Sequence, residues 1–492
     1  MKKTIFFLIF CMCFVSFFAL ELTIFHTNDH HGSLFSYWYE IYEVAGLAER
    51  VSLIRQLTES HENVLLLDAG DFNTGVYESN LFRAEPDIIA YNLIGYDALT
   101  LGNHEFYGGL ERIRQQIEWA DFPMLSANIF TLEGELVGLP YTTFTMQNGL
   151  LVAVFGLTTT HKQLHNDFVV KNDIEIALEL VPRLREKADI VIALTHLGIY
   201  DLGVDELYGS IRLAYNVPGI DLIIDGDSHT VLEEPAYVNG IPIVQAGERG
   251  KYVGKAELSF DVMTGKVSLS NWETIPLMRE FNDPPFEVDN EVFEAIEVFK
   301  QRAIEMGNDL LGHSERYFRD IGVRNRITAL GRVVSEAMLN ATIEYGAEVA
   351  MTNSGSIRSN LRAGEVRISD IHNILPFDND LVVVEIPGTV LLDIITVSFL
   401  EKVDTGAFLQ YSNNVGIIQR PPNLVIPNLR GIEIEPDRIY RVVTNSFLAD
   451  GGDGYSQFEY ALDTINTGIT VREALIHYIQ TNEFFRATEV TE

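Results

Sequence analysis

The feature that most constrains this chain is a pattern repeated five times in its first half: an apolar run of strand length that stops abruptly in polar residues. The runs are "ELTIFH", "NVLLLDAG", "DALTLGN", "ADIVIALTH" and "GIDLIIDG". The turns that close them read "HTNDHHG" (His26 to Gly32), "DAGDFNTG" (Asp68 to Gly75), "GNHEFYGG" (Gly102 to Gly109), "THLG" (Thr195 to Gly198) and "DGDSHT" (Asp225 to Thr230). Between some of them lie amphipathic stretches, such as Gly46 to Ser60 and Gly109 to Ala120, with apolar residues at helical spacing. Strands alternating with helices argue for an α/β sheet, parallel at least in part. In such sheets ligands gather beyond the carboxyl ends of the strands, so the five polar turns are expected to share one crevice.

Taken singly, each turn is no more than a polar loop after a buried strand. Together they hold six of the 12 histidines, with aspartates and an asparagine beside them. That is the donor chemistry of a two-cation site. A carboxylate can bridge two metals, imidazoles and an amide oxygen complete the shells, and the pair can activate water and neutralise a phosphoryl oxygen. His30, crowded beside His31, and His26, which precedes its turn, are expected to be structural.

Length and charge narrow the possibilities. At 492 residues the chain calls for two or three domains. A formal charge of -35, from 70 acidic and 35 basic residues, argues against a nucleic-acid polymer as partner. An anionic ligand would need local arginines or bound cations to hold it against that field. Residues 1–20 form a leader, with Lys2 and Lys3 before an uncharged stretch from Ile5 to Leu20, as in a secretory signal peptide or an uncleaved anchor. Both cysteines, Cys11 and Cys13, fall inside it, in surroundings too bulky for lipidation, so the mature chain would carry no disulfide. The pattern breaks between Asn271 and Pro285. The organisation expected is therefore a two-metal domain over 21–285, a linker helix over 286–310 beginning near "DNEVFEAIEVF", and a second α/β domain over 311–492.

At the turn residues the sequence resembles the metallophosphoesterases, and more narrowly the exported 5'-nucleotidase family that includes UDP-sugar hydrolases. The resemblance implies a four-layer αββα metallophosphoesterase domain followed by an α/β C-terminal domain. It implies two divalent metal ions, drawn from manganese, magnesium, zinc and cobalt. Position by position, Asp29 and His31 would come from the first turn and Asp71 would bridge both metals. Asn103, His196 and Asp227 would bind the second metal and His229 the first. His104 matches the family's catalytic histidine.

The second section carries further matches. "NSGSIRSNLRAGEVRISDIHNILPFDND" resembles the segment with the substrate-binding arginine, with Ser356 in place of a glycine. Arg358 and Arg362 are the phosphate ligands this implies, since guanidinium forks suit phosphate oxygens. "TGAFLQYSNN" supplies Phe408, and "NSFLADGGDGY" supplies Phe447 and Asp453. By resemblance the two phenylalanines would sandwich a nucleobase and the aspartate would accept from a ribose hydroxyl. Stacking holds any base without hydrogen-bond readout. Gly452 stands where a calcium loop needs an acidic ligand, which excludes that use of "DGGDG".

Two positions depart from the family pattern. Asp227 replaces a metal-binding histidine, and Tyr107 stands where an aspartate partners the catalytic histidine. Glu105 is a candidate substitute for that partner. The implied activity is removal of the 5'-phosphate from nucleotides outside the cytoplasm, in the periplasm or at the cell surface, extending to nucleotide sugars or 2',3'-cyclic nucleotides, in nucleotide salvage. The rival from another class is a catalytically weak nucleotide-binding or surface-interaction protein on the same fold. A sulfur-substrate hydrolase is disfavoured by Phe408, Phe447 and Asp453, which suit a nucleoside. The partner expected is a nucleotide substrate, with no membrane span other than an uncleaved leader.

Overall fold

The computed structural model describes residues 19–481, apart from 40, 161–163, 165–166, 200–208, 378 and 421–423. The leader expected over 1–20 thus lies outside the described residues except for Ala19 and Leu20, which already belong to the first strand, Ala19–Thr27. Among the described residues no helix is long and apolar enough to cross a membrane.

All five apolar runs contribute strands, and they fall into two six-stranded sheets. In the first, Ala19–Thr27, Val64–Asp68, Ala98–Thr100 and Met124–Leu125 run parallel, each beside the next. In the second, Ile190–His196 lies parallel between Leu151–Thr158 and Leu222–Ile224. The period-two alternation of side chains builds the layers. Leu22, Ile24, Leu65, Leu67, Ile192 and Leu194 meet in one core between the sheets. Their neighbours Phe25 and Leu66 face outward with helix residues Val51 and Ile88. Val191 and Ala193 likewise face Ala177 and Val181 on the other side. Helix, sheet, sheet, helix is the four-layer arrangement expected.

The break expected between Asn271 and Pro285 is in part a continuation of strand. Lys266–Pro276 pairs antiparallel with Tyr252–Asp261, which in turn pairs antiparallel with Ala19–Thr27. The edge strand Lys266–Pro276 alternates half-buried and exposed residues, and Tyr252–Asp261 beside it alternates buried and half-buried ones, so neither carries the unbroken apolar run that marks the parallel core.

Helix Asn290–Gly307 starts at Asp289, whose side chain accepts from the Glu291 and Val292 amides. It packs on Leu47–Thr58, Tyr77–Leu81 and Glu85–Ile94, and also on Ile368–Ile374 of the second half. That half is built on a five-stranded sheet in the order Leu409–Tyr411, Val349–Asn353, Ile439–Asn445, Asp380–Pro387, Asp463–Thr470. Helices Ala329–Ala341 and Val471–Thr481 cover one face and Gly388–Leu400 the other. The halves touch where the Tyr77 ring packs tilted against His372, ring centroids 4.7 Å apart, and the Tyr77 amide donates to Asn373 Oδ1.

Candidate active site

The parallel strands deliver their polar turns to one place. Asp29, His31, Asp71, Asp227 and His229 all hold left-handed backbone, with φ between 50° and 77°. That conformation costs a non-glycine residue of order 1–3 kcal/mol, and it clusters where function demands a fixed side-chain direction. Glycines at neighbouring positions clear the space. A Cβ on Gly102 would lie 2.2 Å from Asp71 Oδ1, and one on Gly226 would lie 2.6 Å from His196 Nδ1.

Three overlapping groups of donors form among the described residues, one of them His31, Asp71 and His104. Asp29, His31 and His229 bring ligand atoms within 4.8 Å of one another, and so do Asp29, Asp71 and His196. His31 Nε2 is 3.1 Å from His229 Nε2, and His229 Nε2 is 3.3 Å from Asp29 Oδ1. His196 Nε2 is 3.1 Å from Asp71 Oδ2 and 3.7 Å from Asp227 Oδ1. Asn103 is buried, and its Oδ1 accepts no hydrogen bond among the described residues.

The other nitrogen of each of these imidazoles decides its tautomer. His31 Nδ1 faces the Thr74 carbonyl at 3.1 Å, His196 Nδ1 the Ala69 carbonyl at 2.6 Å, and His229 Nδ1 the Glu248 carboxylate at 3.0 Å. Carbonyls and carboxylates only accept, so each Nδ1 carries the proton and donates it. Each neutral Nε2 then presents a lone pair to carboxylates or to another lone pair. Only positive charge reconciles that arrangement. Without a cation, protonation has to supply it. Burial would lower the His196 pKa, yet Asp71 and Asp29 hold it well above the ordinary imidazole value. Burial and His104 push His31 the other way, well below it. The residues present therefore fit a pair of divalent cations.

Buried polar residues brace these turns. Glu105 is fully buried and takes the amides of Gly102 at 2.7 Å, Asp71 at 3.0 Å and Asn73 at 3.4 Å. It is a clamp between two turns, which corrects the expectation that it could orient His104. Tyr107 accepts from Asn103 Nδ2 at 2.7 Å and lays its ring against His104, centroids 4.8 Å apart. Asp225 accepts from the Thr195 hydroxyl and the Leu197 amide, tying the strand of His196 to the turn of Asp227. His30 is held by Arg50 at 2.8 Å, and His26 stacks on Trp272 away from the turns.

A cavity of about 670 Å³ opens between the halves. Asp71, Asn103, His104 and His229 line it from the first half, and Arg358, Phe447, Asp453 and Asn353 from the second. Burial lowers the Arg358 pKa to about 10, and its guanidinium sits 5.8 Å from the Phe377 ring. Asn353 Nδ2 donates to Asp453 Oδ2 at 2.8 Å, fixing that carboxylate. A Cβ on Gly452 would strike the Phe447 ring at 2.6 Å, so the glycine makes room for it.

Two expected ligands lie elsewhere. Phe408 is 0% exposed and packs edge-on against Phe399, centroids 5.1 Å apart, so it offers no face to a base. Arg362 is exposed and outside the cavity lining, where Arg324 stands instead. Arg324 lies in no segment that marked it, whereas Phe377 stands in the "PFDND" end of the arginine segment without having been singled out.

Residues 22–231 match the calcineurin-like phosphoesterase family, and residues 310–460 match the 5'-nucleotidase C-terminal domain. The 5'-nucleotidase of Vibrio cholerae is 35% identical over 94% of this chain and 90% of its own length. The chain belongs to the 5'-nucleotidase family. Protein UshA of Escherichia coli is 32% identical over 94% of this chain and 91% of its own. Among solved structures, the 5'-nucleotidase precursor from Thermus thermophilus shares the fold with a TM-score of 0.80 at 27% identity, covering 95% of this chain and 97% of that one. This 5'-nucleotidase-like hydrolase thus has the fold expected, and its family uses two divalent metals.

Proposed function

We propose that this 5'-nucleotidase removes the 5'-phosphate from nucleoside monophosphates at the cavity between its halves. Asp29, His31 and His229 would hold one cation, Asn103, His196 and Asp227 the other, with Asp71 shared. Such cations, when bound, lower the pKa of water and neutralise phosphoryl oxygens.

The chain's own residues do the rest. Arg358 donates its guanidinium fork to phosphate oxygens from the opposite wall. His104, with Nε2 3.7 Å from Asp71 Oδ2, stabilises charge that grows on the phosphoryl group. Phe447 gives the base an apolar face, and Asp453 accepts from a ribose hydroxyl. The cavity falls within the usual range of ~300–1,000 Å³ for ligand sites. Nucleotide sugars bring the same nucleoside with a phosphoanhydride at its 5' oxygen, and 2',3'-cyclic nucleotides a phosphodiester across the two ribose hydroxyls, so the same metals would act on other phosphoryl groups. The basic, apolar leader supports action in the periplasm or at the cell surface, hence nucleotide salvage.

One observation carries this reading: three histidines whose Nδ1 faces a pure acceptor while Nε2 faces the carboxylates or one another. Phosphate release by the purified protein, across a nucleotide panel with manganese, magnesium, zinc or cobalt, tests it. Metal-dependent release from AMP is expected. Tight AMP binding without release under any metal would instead mark a nucleotide-capturing protein.

A further inference from the structure

We infer that Glu248, which no motif singles out, is the positioning residue of the first cation site. This rests on the two-cation reading of the proposed function. Of the three histidines facing the cations, His31 and His196 are 1% and 0% exposed and are braced by backbone carbonyls. His229 is 30% exposed and sits on a left-handed turn, so packing alone holds it least. Its Nδ1 is held at 3.0 Å by Glu248 Oε2. A carboxylate in that role fixes ring orientation and raises ligand basicity.

Glu248 is itself built into the site. Lys251 Nζ holds its other oxygen at 3.0 Å, and Arg249 Nε lies 3.9 Å away. The flanking backbone is keyed to the first turn, since Asn28 Nδ2 donates to the Gly247 carbonyl at 2.5 Å and the Arg249 amide to the Asp29 carbonyl at 2.7 Å. Glu248 therefore moves with Asp29 while it orients His229. An ordinary surface ion pair with Lys251 would have no reason to be registered on that turn, and it would be worth at most about 1 kcal/mol.

Calorimetric titration of the full chain with Mn²⁺ tests the inference, using Glu248→Ala and Glu248→Gln. Glu248→Ala is expected to weaken one of the two Mn²⁺ sites by about 10- to 100-fold and leave the other near wild type. Glu248→Gln should lose less, because its amide oxygen still accepts from Nδ1. Melting of the metal-free protein should stay close to wild type for Glu248→Gln. Two sites of wild-type affinity in both variants would overturn the inference, as would equal weakening of both sites with a fall in metal-free melting temperature. A wild-type chain that binds no Mn²⁺ would remove the two-cation reading itself, a result separable from either of these.

Discussion

Gly226→Ala is a one-carbon change aimed at the centre of the site. The glycine is absent from the positive-φ positions, so alanine brings no backbone strain and the effect is purely one of space. Its Cβ would sit 2.6 Å from His196 Nδ1, 2.7 Å from the Ala69 carbonyl oxygen and 3.1 Å from Asp29 Oδ2. The first two atoms are the partners of the 2.6 Å hydrogen bond that sets the His196 tautomer. Ordinary contact begins near ~3.5 Å, so roughly 0.8 Å of displacement is needed. Overpacking of this kind costs about 1–3 kcal/mol, and a 1 Å misplacement near the chemistry costs about 100-fold in rate. Phosphate release from AMP with saturating Mn²⁺ should therefore fall about 100-fold in kcat, with melting lowered by about 2–12 °C, at roughly 2–4 °C per kcal/mol. A kcat within about threefold of wild type would refute the reasoning, because His196 would then be free to move without consequence.

Other perturbations separate the roles of the remaining residues. Asp227→His exchanges a hard oxygen for a borderline nitrogen and should raise zinc affinity relative to manganese, read by competition titration; an unchanged preference would count against Asp227 as a ligand. Tyr107→Phe keeps the ring against His104 but removes the hydroxyl that holds Asn103, so apparent Mn²⁺ affinity should fall about fivefold, the worth of roughly 1 kcal/mol, with nucleotide KM unchanged. Phe447→Ala should raise KM for AMP while sparing a small aryl phosphate, and equal loss on both would contradict its stacking role. Phe408→Ala should instead destabilise the fold by about 3–5 kcal/mol, measured by denaturant unfolding, because the ring lies wholly in the core.

Apolar runs and turn composition made the sheets and their polar ends legible, because a buried parallel strand must be apolar and the residue that leaves it need not be. "DGDSHT" shows how far that goes. Asp227 and His229 face the site, whereas Asp225 turns back to hold the Thr195 hydroxyl, a difference the letters alone do not carry. Phe408 was misplaced for a related reason. It stands one residue before the strand Leu409–Tyr411, and the structure packs its ring on Phe399 in the core. Glu248 acquires meaning only through a partner distant in sequence, His229, so no local pattern announces it, and the role of Glu105 as a clamp on Asp71 likewise shows only once the two turns are brought together. The antiparallel edge strand Lys266–Pro276 stayed hidden because a half-exposed strand looks like a loop in composition.

Anomalous diffraction at the manganese edge, from crystals of the full chain grown with Mn²⁺, addresses the two-cation centre directly. Two peaks are expected, one among Asp29, His31 and His229 and one among Asn103, His196 and Asp227, with Asp71 touching both. A single peak, or two peaks away from these turns, would contradict it.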